Sequence, residues 1–216
     1  MPELGDVTSK GTLSLRSNYA VIHQRAAGHA ARAARAVEEA NDTSKLGAWF
    51  DELMIHVPVT VVMAAAALEA NANEIIQDIL DRSLPSPRCT LLKDLLDERT
   101  GGVMDKYRRL ALQLDKLPDQ GSFAWQNADL LVRLRNFFVH FKPAWDHQAG
   151  VHEDSNLVKQ LAERIPLVKS YQGSMMPYRF LNCACARWAV VSAKTFSADF
   201  SNLIGVQDRL PDEPLS

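Results

Sequence analysis

The chain has 216 residues, enough to bury a full core in one domain, and its 47% hydrophobic content is ordinary for a globular protein. A formal net charge of -2 excludes a protein that coats nucleic acid through a broad basic surface, while leaving room for a local basic patch. The three cysteines, Cys89, Cys183 and Cys185, are odd in number and lack metal-ligand spacing, so they read as buried thiols in a reducing cytosol.

Residues 1–11 carry acidic residues and Gly but no charged-then-apolar signal pattern, which makes a cytoplasmic location the expectation. Helical periodicity then runs through the chain with no alternating strand pattern. The predicted class is all-α: an antiparallel helical bundle of about six or seven helices, forming one domain over 12–205 with flexible tails at 1–11 and 206–216.

A first, Ala-rich helix is expected over 17–41, capped by Ser17 and stopped by the polar cluster Asn41-Asp42-Thr43-Ser44. A second runs over 58–82, with Pro58 in its first turn and Ser83-Leu84-Pro85-Ser86-Pro87 ending it. The apolar run 53–68 contains His56, Pro58 and Thr60 and is shorter than the roughly 20 residues a bilayer requires, so it reads as a buried helix and no membrane is expected. Shorter helices follow over 90–99 and 103–116, separated by Gly101-Gly102 and closed by Pro118-Asp119-Gln120-Gly121. A further helix should run from Ser122 to His140 or Phe141, because Pro143 biases Lys142 away from helical angles. After a polar loop, a short helix is expected over 156–164 and a last long one over 177–204; the ending, with Pro211 and Pro214, should fray.

The stretch Leu134-Arg135-Asn136-Phe137-Phe138-Val139-His140-Phe141-Lys142-Pro143 carries the chemistry. A guanidinium that keeps its charge can hold a phosphate, and an imidazole, which titrates near neutrality, can move the proton of a ribose hydroxyl. On a helical wheel Leu130, Leu131, Leu134, Phe137, Phe138 and Phe141 form one apolar face. Asp129, Arg133, Asn136 and His140 form a polar stripe beside it. Arg135 lies about 140° round from His140, and Val132, Asn136 and Val139 between them point away from the main core. That second face needs a cover, which is either another helix of the chain or a symmetry mate in a two-fold dimer.

On the second helix Glu69 and Asn73, four residues apart, share a face with Val62, Ala66 and Ile76 and should be partly buried. A buried carboxylate requires a cation, and Arg135 is the candidate, with the Ala-rich run 64–67 letting the two helices approach.

The spelling Arg135-Asn136-x-x-x-His140, together with Ala67-Leu68-Glu69-Ala70-Asn71-Ala72-Asn73-Glu74 on an earlier helix, resembles the HEPN superfamily of small α-helical domains found in prokaryotic toxins, phage-defence proteins and RNA-targeting CRISPR effectors. The resemblance covers chiefly 62–80 and 130–145. It implies an endoribonuclease that needs no metal or other cofactor and attacks the phosphate with the ribose 2′-hydroxyl. In it His140 serves as general base or acid, Arg135 stabilises the pentacoordinate phosphate, and Asn136 orients the imidazole or a phosphate oxygen, while Glu69 and Asn73 support them. It also implies an RNA substrate, a homodimer joined through the Val132, Asn136 and Val139 face so that two Arg-His sets share one cleft, and an antitoxin protein as partner. Some members carry a Tyr two positions after the His for modification by a nucleotidyltransferase; here Lys142 stands there, which argues against that regulation.

Further cations for RNA are sought in Arg25, His29 and Arg32, spaced i, i+4, i+7 on the first helix, and in Arg108, Arg109 and Lys142, although a basic helix stripe is commonly just a solvated face. The competing readings are a catalytically silent HEPN-like interaction or scaffold domain, and a bundle in which His140 simply complements a helix C-terminus. A metal site from His140, His147 and His152 straddles a loop and has no tight ligand pair. Neither a Gly-x-Ser-x-Gly elbow nor a phosphate-binding glycine loop is present. Trp145 is read as pinning its loop rather than stacking on a base.

Overall fold

The computed structural model describes residues 17–82, 87–97, 101–141, 155–171, 173 and 176–215. Expectations for Lys142, Pro143, Trp145, His147, His152 and the tail 1–11 lie outside the described residues. The described residues form seven α-helices and no strand: α1 (Tyr19–Glu39), α2 (Trp49–Arg82), α3 (Pro87–Asp97), α4 (Val103–Gln113), α5 (Phe123–Val139), α6 (Ser155–Ala162) and α7 (Cys183–Ile204). The all-α helical bundle read from the periodicity is what the chain adopts.

The centre of the bundle is the pair α2 and α7. Helix α1 packs on both from one side and α5 packs on both from the other; α3 and α4 lean on α2, and α6 leans on α5. Small side chains make the first of these contacts close. Ala20, Ala27, Ala31 and Ala34 on α1 and Ala64, Ala65, Ala67 and Ala72 on α2 are buried in one core with Leu53, Val57, Val61 and Leu68. Each large aliphatic side chain so buried stabilises the fold by about 1.5–3 kcal/mol before the entropy of ordering it is counted.

Helix α2 begins nine residues before the expected start at Pro58, which therefore lies inside it. Proline lacks the N–H that would bond the carbonyl four residues back, here on Met54, which sits on a solvent-facing turn. The helix survives because Trp49, Phe50, Leu53 and Val57 pack the preceding turns into the core. By length and composition alone this 34-residue helix could cross a membrane. In the fold its apolar face is the middle of the core.

The other boundaries moved for local reasons. Asn18, not Ser17, caps α1 by accepting from the Val21 N–H. The segment expected as one helix over 177–204 is split: a 3-10 turn, Tyr178–Phe180, precedes Asn182, whose side chain accepts from the Cys185 N–H and starts α7 afresh. Gly205 closes α7 at a φ of 74°, a left-handed angle that favours glycine.

The ending expected to fray is instead an extended strap, 206–215, laid across α1, α2 and α7. Leu210 is buried, and Asp208 accepts from Ser197 Oγ at 2.6 Å and from Lys194 Nζ at 2.7 Å. Arg209 pairs with Asp78 of α2, while Arg32 of α1 donates to Glu213 at 3.2 Å and to the Pro214 carbonyl at 3.1 Å. Behind the strap a buried chain of hydrogen bonds continues: Asn71 Nδ2 donates to Ser197 Oγ and to Tyr107 Oη, which donates to the Leu68 carbonyl. Burial pushes the Tyr107 phenol up, beyond the ordinary range for tyrosine. Two prolines in the strap prevent helix but not docking.

Candidate functional site

Helix α5 carries the Arg-Asn-x-x-x-His stretch. Ser122 caps it by accepting from the Trp125 N–H, and His140 is its C-cap, with its own N–H on the Asn136 carbonyl at 2.9 Å. Leu130, Leu131 and Leu134 are buried against α2 and α7, which fixes the rotation of the helix. Toward the C-terminal end the core thins. Phe137 and Phe138 are half-buried, Phe141 is 39% exposed, and their rings meet edge to face with centroids about 6 Å apart.

Arg135 reaches back to α2. Its Nη2 donates to Glu69 Oε2 at 2.8 Å and its Nη1 donates to Asn136 Oδ1 at 3.0 Å. The guanidinium is 24% exposed and the carboxylate 47%, so the pair lies at the rim of the α2–α5 interface rather than inside it. Such an anchored guanidinium retains N–H donors for an anion, with its charge partly neutralised by the carboxylate.

Asn73, one turn further along α2, serves a different partner. It accepts from Lys106 Nζ at 2.8 Å, and Lys106 on α4 is buried. Sequence reading missed Lys106, and no spacing signal could have found it, because α4 meets α2 only in the folded bundle.

His140 and Asn136 are both exposed. Five residues of helix separate Arg135 from His140, roughly 7.5 Å along the axis and 140° around it. Within one chain the two side chains therefore leave α5 on different sides. The face expected to be uncovered is mixed: Val132 is buried in the chain's own core, whereas Asn136 and Val139, the latter 53% exposed, are open.

Among the described residues, the expected RNA-binding cations Arg25, His29 and Arg32 are not gathered on this face. Arg25 and His29 are exposed, and Arg32 is engaged by the strap. All three lie on α1, across the α2 and α7 pair from α5. Arg108 donates to Asp105 on its own helix at 2.6 Å. Of the three thiols expected to be buried, Cys185 is buried while Cys89 and Cys183 are partly exposed; burial, followed by the Glu38 carboxylate beside it, pushes Cys183 up to about 12, and burial alone pushes Cys185 up to about 12.

Compared with known proteins, the chain matches no protein family, no curated protein and no solved structure.

Proposed function

We propose that this protein is a metal-independent endoribonuclease of the HEPN kind, working as a homodimer. The observation that carries the reading is the anchoring of Arg135 by Glu69 across two helices, with His140 left exposed one turn on. A cation held in place, with an exposed imidazole brought to it from the partner copy, suits in-line attack of a 2′-hydroxyl on the adjacent phosphate. His140 takes the proton from O2′, Arg135 compensates the charge gathering on the pentacoordinate phosphorus, and the 5′-oxygen leaves with a proton from solvent water, to which His140 returns the one it took. The products are a 2′,3′-cyclic phosphate and a 5′-hydroxyl. Because Arg135 and His140 diverge on one helix, the exposed Val139 and Asn136 face is assigned to the partner copy, whose His140 completes the site. A toxin or phage-defence setting, with an antitoxin that covers the cleft, belongs to the same proposal.

The test incubates mixed RNA with the full chain in EDTA, beside His140→Ala. Cleavage that persists in chelator and is lost in the variant supports the proposal. Undiminished cleavage by His140→Ala overturns it, and a monomeric mass at micromolar concentration with full activity overturns the shared site. A scaffold role is favoured by one observation, the neutralisation of Arg135 by Glu69 beside exposed Val139 and Phe141, and it predicts no cleavage from either protein.

A further inference from the structure

On the same polar stripe of α5, about 16 Å from His140 at 1.5 Å per residue, Asp129 lines a cleft between α5 and α6. The cleft holds about 420 Å³ and is walled by Gln120, Gln126, Asp129, Gln160 and Arg164, with Trp125 as its floor. Trp125 is held from behind by Phe196, edge to face at 5.5 Å. Arg164 is fixed by Asn127 Oδ1 and the Gln160 carbonyl, each at 2.8 Å. Trp125 and Arg164 are thus held by contacts within the bundle.

What those bonds leave over is specific. Gln126 uses its Nε2 on the Gly121 carbonyl, so its Oε1 remains an acceptor; Gln160 uses its Oε1 on Arg133, so its Nε2 remains a donor. Nothing among the described residues donates to Asp129, although Arg164 lines the same cleft. The space therefore offers an anionic double acceptor and a neutral acceptor together with an amide and a guanidinium donor.

We propose that this cleft binds guanine. Guanine alone among the four RNA bases presents two adjacent N–H donors, N1–H and the N2 amine, that a single carboxylate can accept together. Its O6 and N7 are acceptors for the Gln160 amide and the Arg164 guanidinium. Adenine and cytosine present one amine beside an acceptor, which a carboxylate opposes, and uracil presents one N–H between two carbonyls. A phosphate is repelled by Asp129. That the guanine belongs to an RNA strand rests on the ribonuclease reading: at about 3.4 Å per stacked nucleotide, the stripe Asp129, Arg133, Asn136 and His140 spans about five nucleotides, fewer in an extended strand.

The experiment titrates guanosine 5′-monophosphate into the full chain and follows side-chain amide and indole resonances by NMR, with the adenosine, cytidine and uridine monophosphates as comparisons. Saturable shifts at the Gln120, Gln126 and Gln160 amides, with the other three nucleotides at least about tenfold weaker, support the site. Asp129→Asn keeps the shape and should weaken the guanine nucleotide by about tenfold or more; Gln126→Leu, at an exposed position, should weaken it less. Equal shifts with all four nucleotides, no saturation, or unchanged affinity in Asp129→Asn overturns the site. His140→Ala should bind the nucleotide as wild type does. Guanine binding without His140-dependent cleavage leaves this site standing and removes the ribonuclease reading, whereas His140-dependent cleavage without guanine preference removes this site alone.

Discussion

Glu69 on α2 holds Arg135 on α5 at 2.8 Å, joining two residues 66 positions apart at the rim of the bundle. Because both groups are partly solvated, the pair contributes little to stability, about 0.2–1 kcal/mol. Its larger effect is on where the guanidinium sits. Glu69→Gln should therefore leave the thermal midpoint within a few degrees of wild type and, on the proposed ribonuclease reading, lower RNA cleavage by about tenfold. A melt and a cleavage assay on the same preparation check this; a large stability loss would show that the pair is structural.

Asn73 and Lys106 should behave asymmetrically. Lys106 is buried with its Nζ on Asn73 Oδ1, so Asn73→Ala strands a buried donor and should cost about 1–3 kcal/mol. Lys106→Met keeps the stem and removes the charge, and should be close to neutral. Urea unfolding of both variants gives the comparison, and equal losses would contradict it.

Detaching the strap should destabilise the whole bundle. Asp208 accepts from Ser197, Lys194 and the Leu210 N–H, and Leu210 is a core residue. Leu210→Ala should cost about 2–4 kcal/mol through the cavity it leaves, and Asp208→Ala about 1–3 kcal/mol through stranded donors. Chemical denaturation reads both, and values near zero would mean that the strap adds nothing to the fold.

Stability should fall in alkali. Burial raises Cys185 to about 12, so the folded state keeps its proton where the unfolded chain, ionising near the ordinary thiol value of 9.0, loses it. The stabilisation is complete below about pH 9 and is lost as pH rises from there toward 12. Cys185→Ala should flatten this slope in thermal melts between pH 8 and 11. At pH 8 alkylation of Cys183 and Cys185 in the folded protein should be at least about tenfold slower than in the unfolded chain.

Much of α5 was legible in advance. The start near Ser122, the Leu130, Leu131 and Leu134 face, and the need of Glu69 for a cation all follow from spacing, because helical periodicity is local. The true start of α2 was not read: proline's preference for a first turn set it at Pro58, whereas Trp49, Phe50, Leu53 and Val57 carry the helix into the core nine residues earlier. Core packing decides such a case.

The sequence by itself determined that the chain is all-α, where most helices lie, and that Arg135, Asn136 and His140 share one helix end, since these depend on neighbours within a turn or two. Only the tertiary structure decided that Lys106 meets Asn73, that Arg32 is engaged by Glu213, and that a chain ending with two prolines is bound down. Those contacts join groups far apart along the chain, and their partners are chosen by how the other helices pack around α2 and α7 rather than by any local preference.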